Sequence, residues 1–378
     1  MAEFSTKLTH PLSYTFASEA IISNCKSTTA KKILITGASG YVGQHLIASL
    51  VSGGISISGG STTDDEQQQY KVYCAYNSLS TFEADLNGVL QSSTLHPSIE
   101  GIYPIPNVDF SQSGYIDIIQ QAVCGSEGDQ QTKLDAIIHL AALSSPGYCE
   151  KNQEEAMKVN LPLDLLKIGA PIIYMSTDQV YEGTKQYYKE DIDEANPVNV
   201  YGKSKLEYEK VLLGKNVPGS TILRSSLILG PPTPFQHGCK KGAYPSFLQF
   251  IESRLQSSTP TDYFVNEFRS VVHINDVILA IKHFLQHALT VNDLSEEAKM
   301  TKVYNLGGST RASRYELAME VANHLKLDTS SVNGIDRPTT GGGVPSPPDI
   351  SMNVDKITNE LGLEQMMSLK EIVASTFK

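Results

Sequence analysis

"KKILITGASGYVGQHLIASL", residues 31–50, joins three signals in an unbroken order. An apolar run of strand length ends at Thr36; three glycines, Gly37, Gly40 and Gly43, follow; then Leu46, Ile47 and Leu50 recur at helical spacing. Strand, tight turn and amphipathic helix in succession are the unit of a parallel sheet with helical crossovers. Similar alternation recurs through much of the first 230 residues. It predicts strands over 32–36, 71–76, 102–108, 135–140, 171–177 and 220–226. Helices are expected near 41–51, 113–124, 152–168, 200–213, 275–288 and 313–326.

Around this α/β body the texture changes twice. "SGGISISGGSTTDDEQQQ" separates the first helix from the second strand, where a few residues would suffice. The stretch 52–69 is therefore read as a solvated insertion. After residue 230 come Pro- and Gly-rich loops such as "LGPPTPFQHG" and "RPTTGGGVPSPPD". The expected organisation is a flexible extension over 1–30, a doubly wound nucleotide-binding domain over 31–230, and a smaller substrate-binding lobe over 231–378. Some elements of that last segment are expected to return to the sheet.

Composition narrows the function classes. A chain of 378 residues with 40% hydrophobic and 19% charged residues can bury a substantial core. A net charge of -11 argues against a nucleic-acid surface. Five cysteines, an odd number with no C-x-x-C pair, fit reduced thiols and give no metal site. No apolar run approaches the ~18 residues of a membrane span, and the first 30 residues lack a secretory h-region. A cytoplasmic protein is expected, with organelle targeting by residues 1–30 left open.

The glycines have physical work in this context: the tight turn, backbone approach to a pyrophosphate, and packing of helix on strand. The helix N-terminus adds free N–H groups and a positive dipole end. The expected cofactor set around the turn is Gly37, Ser39, Gly40, Tyr41, Val42 and Gly43. The second strand ends in "YCAYNSLS", with Asn77 and no acid, and no arginine precedes Arg224. A missing acid removes a repulsion from a 2′-phosphate and a missing arginine removes an attraction, so the reading leans to NADP with NAD as the alternative. Asp109, at the end of the third strand, is a candidate for the adenine amino group or a helix N-terminal acid; Phe110 adjoins it. Ala141 and Ala142, after the fourth strand, would let backbone pass close to a dinucleotide. His139 reads as a packed strand residue.

The chemical end is "PIIYMSTDQVYEG", an apolar strand closing in Ser176 and Thr177, followed by "NVYGKSKLEYEK". In an open parallel sheet, ligands sit beyond the carboxyl ends of the strands. Tyr201 and Lys205, four apart, share a helix face. A phenol of pKa about 10 is a poor acid–base group at neutral pH, and a nearby ammonium is expected to lower it. Tyr201 would then exchange a proton with a carbonyl or alcohol oxygen held by Thr177, while a nicotinamide exchanges hydride. Lys205 would also hold the nicotinamide ribose. A second copy of the spacing, Tyr181 and Lys185, contains Gly183 and is not expected to be helical.

With these elements in order, the chain resembles the extended short-chain dehydrogenase/reductase family, of Rossmann-type fold. More narrowly, "STDQVYEG", "YKEDIDEANPVNVYGKSKLEYE", "ILRSSLILGP" and "PPDISMNVDKI" are similar to the dTDP-4-dehydrorhamnose reductase group, which includes the regulatory β subunit of methionine adenosyltransferase. The likeness covers roughly residues 31–375. It implies that Thr177, Tyr201 and Lys205 fall on catalytic positions, and that Gly37, Gly40, Gly43, Asp109, Ala141 and Ala142 fall on the dinucleotide site. "NEFRSVVHINDV" resembles the later substrate segment, where Arg269 would meet a nucleotide-sugar phosphate; the bland alternative is an ion pair with Glu267 or Asp262. "LILG" stands where sugar-nucleotide reductases commonly carry an aromatic, and the glycines after Arg337–Pro338 depart from the family loop. Three functions follow as expectations. The first is an NADP(H)-dependent reductase of a 4-keto nucleotide sugar or related carbonyl. The second is a dinucleotide-holding regulatory subunit of a methionine adenosyltransferase catalytic subunit, and the third a nucleotide-sugar epimerase or dehydratase.

Overall fold

The computed structural model describes residues 30–55, 68–77, 80–92, 94–124, 133–235, 246–291, 295–338 and 343–378. Nearly all of the 1–30 extension, most of the 52–69 insertion, Ser78 and the glycines at 341–342 lie outside the described residues.

The first half runs β1 (Lys31–Thr36), α1 (Tyr41–Gly53), β2 (Tyr70–Ala75), α2 (Ser80–Ser92), β3 (Ile99–Ile105), α3 (Tyr115–Cys124) and β4 (Ala136–His139). It continues through α4 (Pro146–Lys151), α5 (Gln153–Asn160), β5 (Ile172–Thr177), α6 (Val200–Lys215), β6 (Thr221–Ser225) and β7 (Ile228–Leu229). Next come α7 (Phe247–Gln256), β8 (Thr261–Phe264), β9 (Phe268–Ser270), β10 (Val272–His273), α8 (Ile274–Leu289) and α9 (Glu296–Lys299). The chain closes with β11 (Lys302–Leu306), β12 (Arg311–Ser313), α10 (Arg314–Leu325), β13 (Val332–Ile335), α11 (Asp355–Glu360) and α12 (Leu369–Thr376).

Seven parallel strands form one sheet in the order β11-β6-β5-β4-β1-β2-β3. In β1 the period of two sends Ile33 and Ile35 to one face and Leu34 to the other. Each face has its own apolar core: Ile33 and Ile35 pack with α1 and α8 residues such as Leu46 and Ile281, and Leu34 packs with Ile119, Tyr174 and Leu212. A strand covered on both faces must be apolar throughout, which is why β1 reads as a continuous run. Burying each such side chain is worth roughly 1.5–3 kcal/mol. The strand order reverses between β1 and β4, and the crevice beyond their carboxyl ends is the place where such sheets bind ligands.

The expected elements form, with these differences. The edge strand β11 and the helices α2 and α4 were not anticipated, and α7, α9, α11 and α12 were not individually placed in the loop-rich region after residue 230. The helix expected over 152–168 is broken: α5 stops at Asn160, and Pro162, which lacks an N–H, begins a 3-10 turn over Leu163–Ile168. The third strand ends at Ile105, short of 108, ahead of Pro106.

Beyond the sheet, α7, α10 and α12 enclose a separate apolar core containing Leu248, Ile251, Leu317, Val321 and Ile372. Short pairings of β9 with β12 and of β8 with β13 tie that lobe together, while α8 and β11 belong to the sheet body.

Candidate active site

The glycine turn closes on the end of β4. Gly37 has φ +69°, and a Cβ there would lie 2.6 Å from the backbone nitrogen of Ala141. A Cβ at Gly43 would lie 2.5 Å from the Gly37 carbonyl oxygen, so this glycine lets α1 start against the turn. At Gly40 the same atom would meet only the Gly37 carbonyl oxygen, at 3.2 Å. Gly40 is the N-cap of α1; it offers no side-chain cap, and the first turn carries no acid. An uncapped, acid-free helix start beside an open glycine is a fit for a pyrophosphate. Of the other residues expected here, Ser39, Tyr41 and Val42 line the turn half-buried, with the Tyr41 hydroxyl donating to the Pro231 carbonyl at 2.8 Å.

At the end of β2, Asn77 is exposed. Tyr76 donates to Glu83 on α2 at 3.0 Å, which brings to this end a carboxylate the sequence reading did not count. Asp109 accepts from Ser111 through both backbone N–H (2.8 Å) and hydroxyl (2.7 Å), a local turn of its own. Phe110 is a core side chain packed against Tyr115 and His139. Ala141 and Ala142 sit half-buried beside the glycine turn. His139 is fully buried, hydrogen-bonded to Thr36 (2.7 Å) and stacked on Tyr174; burial holds its imidazole well below the usual range.

The chemical end assembles from β5 and the first turn of α6. Asn199 caps α6 by accepting from Gly202 N–H at 2.8 Å, and its amide donates to Gln179 at 2.8 Å. A Cβ at Gly202 would run into the Gln179 carbonyl, so the helix start is seated directly on the turn after Thr177. That seating brings Tyr201 to Thr177. Burial pushes the Tyr201 phenol up, and a hydrogen bond to the Thr177 hydroxyl pulls it back in part.

The expectation that Lys205 acidifies this phenol needs correction. The Lys205 ammonium lies on the Tyr174 ring, with Nζ 4.2 Å from the centroid. Burial lowers it to about 7, with Glu209 opposing that fall. A lysine four residues along the helix points down into the protein, so burial dominates both groups. The Tyr181 copy behaves as expected: Tyr181 is fully buried beyond a 3-10 turn, and Lys185 pairs with Asp193.

Asp178, next to Thr177 and not singled out from sequence, is buried and accepts from Ser226 at 2.9 Å. Burial raises its carboxyl to about 6 against the pull of Arg269. Arg269 itself is buried. It donates to the carbonyls of Phe268 (2.7 Å) and Pro347 (3.1 Å) and pairs with Glu267 at 3.3 Å. Arg314 and Arg337 reach the same carboxylate at 3.1 and 2.6 Å. Three guanidiniums therefore share Glu267, with Asp178 a second acid in the field of Arg269. The sequence alternative for Arg269, an ion pair with Glu267, forms here but buried; spacing along the chain did not announce Arg314 and Arg337, which reach Glu267 only through the lobe.

An open parallel sheet whose order reverses beside a glycine-rich turn, with a hydroxyl and a phenol meeting at the same sheet end, defines a Rossmann-type α/β protein. The sequence profile of the RmlD substrate binding domain family matches residues 116–377, and the chain belongs to that family. Among curated proteins it is similar to methionine adenosyltransferase 2 subunit beta of Danio rerio, 25% identical over 225 residues, which cover 58% of this chain and 65% of the relative. The chain thus spans less than two thirds of that relative's length. Among solved structures it is similar to dTDP-4-dehydrorhamnose reductase from Bacillus anthracis str. Ames in complex with NADP, with TM-score 0.62, 19% identity, and coverage of 92% of this chain and 99% of the other. It is likewise similar to UDP-glucuronic acid 4-epimerase from Bacillus cereus in complex with UDP-glucuronic acid and NAD, with TM-score 0.62, 20% identity, and coverage of 91% and 97%. At these identities the structural likeness establishes the fold. Among the described residues no helix is long and apolar enough to cross a membrane, and no group of three or more side chains is placed to hold a metal ion.

Proposed function

We propose that this chain is an NADP(H)-dependent reductase of a 4-keto nucleotide sugar or a related carbonyl compound, with Thr177, Tyr201 and Lys205 as its catalytic residues. A cytoplasmic setting goes with this reading. The observation that carries it is the meeting of Tyr201 with Thr177 at the sheet end that also presents the uncapped start of α1. The α1 turn, with Gly40 open above it, would hold the pyrophosphate; Ala141 and Ala142 would flank the dinucleotide. When bound, the nicotinamide supplies the hydride. Thr177 hydrogen-bonds the substrate oxygen, Tyr201 delivers the proton to it, and Lys205 holds the ribose hydroxyls. Arg269, in the field of Asp178 next to Thr177, with Arg314 and Arg337 gathered on the same Glu267, offers guanidinium chemistry that suits an anionic substrate such as a nucleoside diphosphate sugar.

The test is NADPH consumption against a panel of 4-keto nucleotide sugars by wild type and Tyr201→Phe, with NADPH and NADH affinity measured for both. The reading expects binding by both proteins, turnover by wild type alone, and tighter NADPH than NADH. Binding without any turnover would sink it. A second reading, a regulatory subunit for a methionine adenosyltransferase catalytic subunit, is favoured by the Danio rerio relative. It requires that the protein co-purify with such a subunit or change its kinetics. An epimerase or dehydratase would show conversion without net NADPH consumption.

A further inference from the structure

We propose that Glu209 is a positioning residue of this site, stapling the catalytic helix α6 to the catalytic strand β5 and acting on Lys205 from one turn away. The inference rests on the reading of Thr177, Tyr201 and Lys205 given above. Glu209 is fully buried, and both carboxylate oxygens are used. One accepts from the hydroxyl of Ser176, the residue before Thr177. The other accepts from Arg224 on β6, with Nη2 at 2.7 Å and Nε at 3.1 Å. Arg224 Nη1 donates onward to the Tyr181 hydroxyl at 2.9 Å, and that hydroxyl donates to Asn305 on β11 at 2.7 Å. A single carboxylate thus reaches β5 one residue from Thr177, while its own helix position lies four residues after Lys205. Through Arg224 it also ties in β6 and, through Tyr181, β11.

A carboxylate one helical turn from a buried ammonium favours the charged amine, and Glu209 is the group that opposes the desolvation of Lys205. The other titratable groups around this amine are Tyr174 from β5, His139 from β4, Arg224 from β6, and Tyr201 and Tyr208 on α6 itself. Asp178, from the turn after β5, and Cys149 and Glu150, from α4, face the Tyr201 end of the helix. Of these acids, Glu209 is the one that acts on Lys205, while the Glu150 carboxylate accepts from the Val200 N–H at the start of α6.

The experiment is a direct titration of Lys205 by NMR in protein carrying 13Cε-labelled lysine, with the resonance assigned by its loss in Lys205→Met. It needs no ligand and no turnover. In Glu209→Gln the Lys205 midpoint should fall by at least one pH unit, with cooperative thermal unfolding retained. An unchanged midpoint in folded Glu209→Gln would overturn the proposal. Should that variant fail to fold, Glu209→Asp replaces it, with a smaller fall expected and an unchanged midpoint again decisive against. In parallel, kcat of Glu209→Gln on the active ketone should drop at least tenfold with KM little changed. If wild type turns over nothing, the reductase reading fails while the titration still decides the role of Glu209.

Discussion

Lys205 is where the chemistry of a single residue departs furthest from its ordinary behaviour. Burial holds its amine at about 7 before any ligand arrives. If a dinucleotide's ribose hydroxyls and phosphates favour the ammonium, binding takes up a proton above pH 7. NADPH affinity should therefore weaken as pH rises from 7 toward 9, approaching tenfold per unit, and Lys205→Met should flatten that slope; calorimetry in buffers of different ionisation enthalpy reads the proton directly. Asp178 carries the opposite sign. Its carboxyl is raised to about 6 from 3.8, so the folded state holds its proton more tightly than the unfolded chain does. The resulting cost to stability is fully present above pH 6 and disappears as pH falls below about 4, amounting to roughly 3 kcal/mol at most. Asp178→Asn should accordingly stabilise the protein at pH 8 and have little effect at pH 4, as measured by denaturant unfolding, while reducing any activity that uses Thr177. A gain independent of pH would show that the stabilisation has another source.

The decisive element is the first turn of α6. Its cap at Asn199 was hidden in a run of ordinary loop residues, whereas the Tyr201–Lys205 spacing was plain on the helix face. What spacing could not reveal is that Gly202 is pressed onto the Gln179 carbonyl, because that contact joins residues on different elements. Gly202→Ala should lift the helix start from the turn, costing about 1–3 kcal/mol of stability and separating Tyr201 from Thr177. The expected result is a turnover loss larger than the stability loss explains, checked by comparing kcat and melting temperature in one preparation. A variant as active as wild type would show that this packing is slack. Element boundaries were legible where one local rule acted alone, as in β1. They were missed where Pro162 broke a periodic run and where β11 owed its existence to β6 as a neighbour.

Across the whole molecule, the lobe is tied together by a charge cluster centred on Glu267, which is 1% exposed. Arg269, Arg314 and Arg337 come to it from three separate segments, and Ser346 donates to it at 3.0 Å. Removing a buried acid that serves such partners leaves uncompensated charge, at a cost of about 3–5 kcal/mol. Glu267→Ala should lower the melting temperature sharply and loosen the lobe before the sheet, as read by hydrogen exchange over α7 and α10. Uniform loss of protection across sheet and lobe would argue that the two unfold as one unit.

The sequence by itself determined the parallel α/β architecture and the glycine turn, and it singled out Thr177, Tyr201 and Lys205 as candidates. Each depends on periodicity or turn chemistry within about twenty residues, and local sterics and burial patterns carry that information. Only the tertiary structure decided the rest: that Lys205 rests on Tyr174, that Arg269 is buried with Glu267, that Asp178 lies in the field of Arg269, and that Glu209 links Ser176 to Arg224. These depend on desolvation and on charges from segments far apart in the chain, and a pKa or an ion pair has no definite value until folding sets those distances.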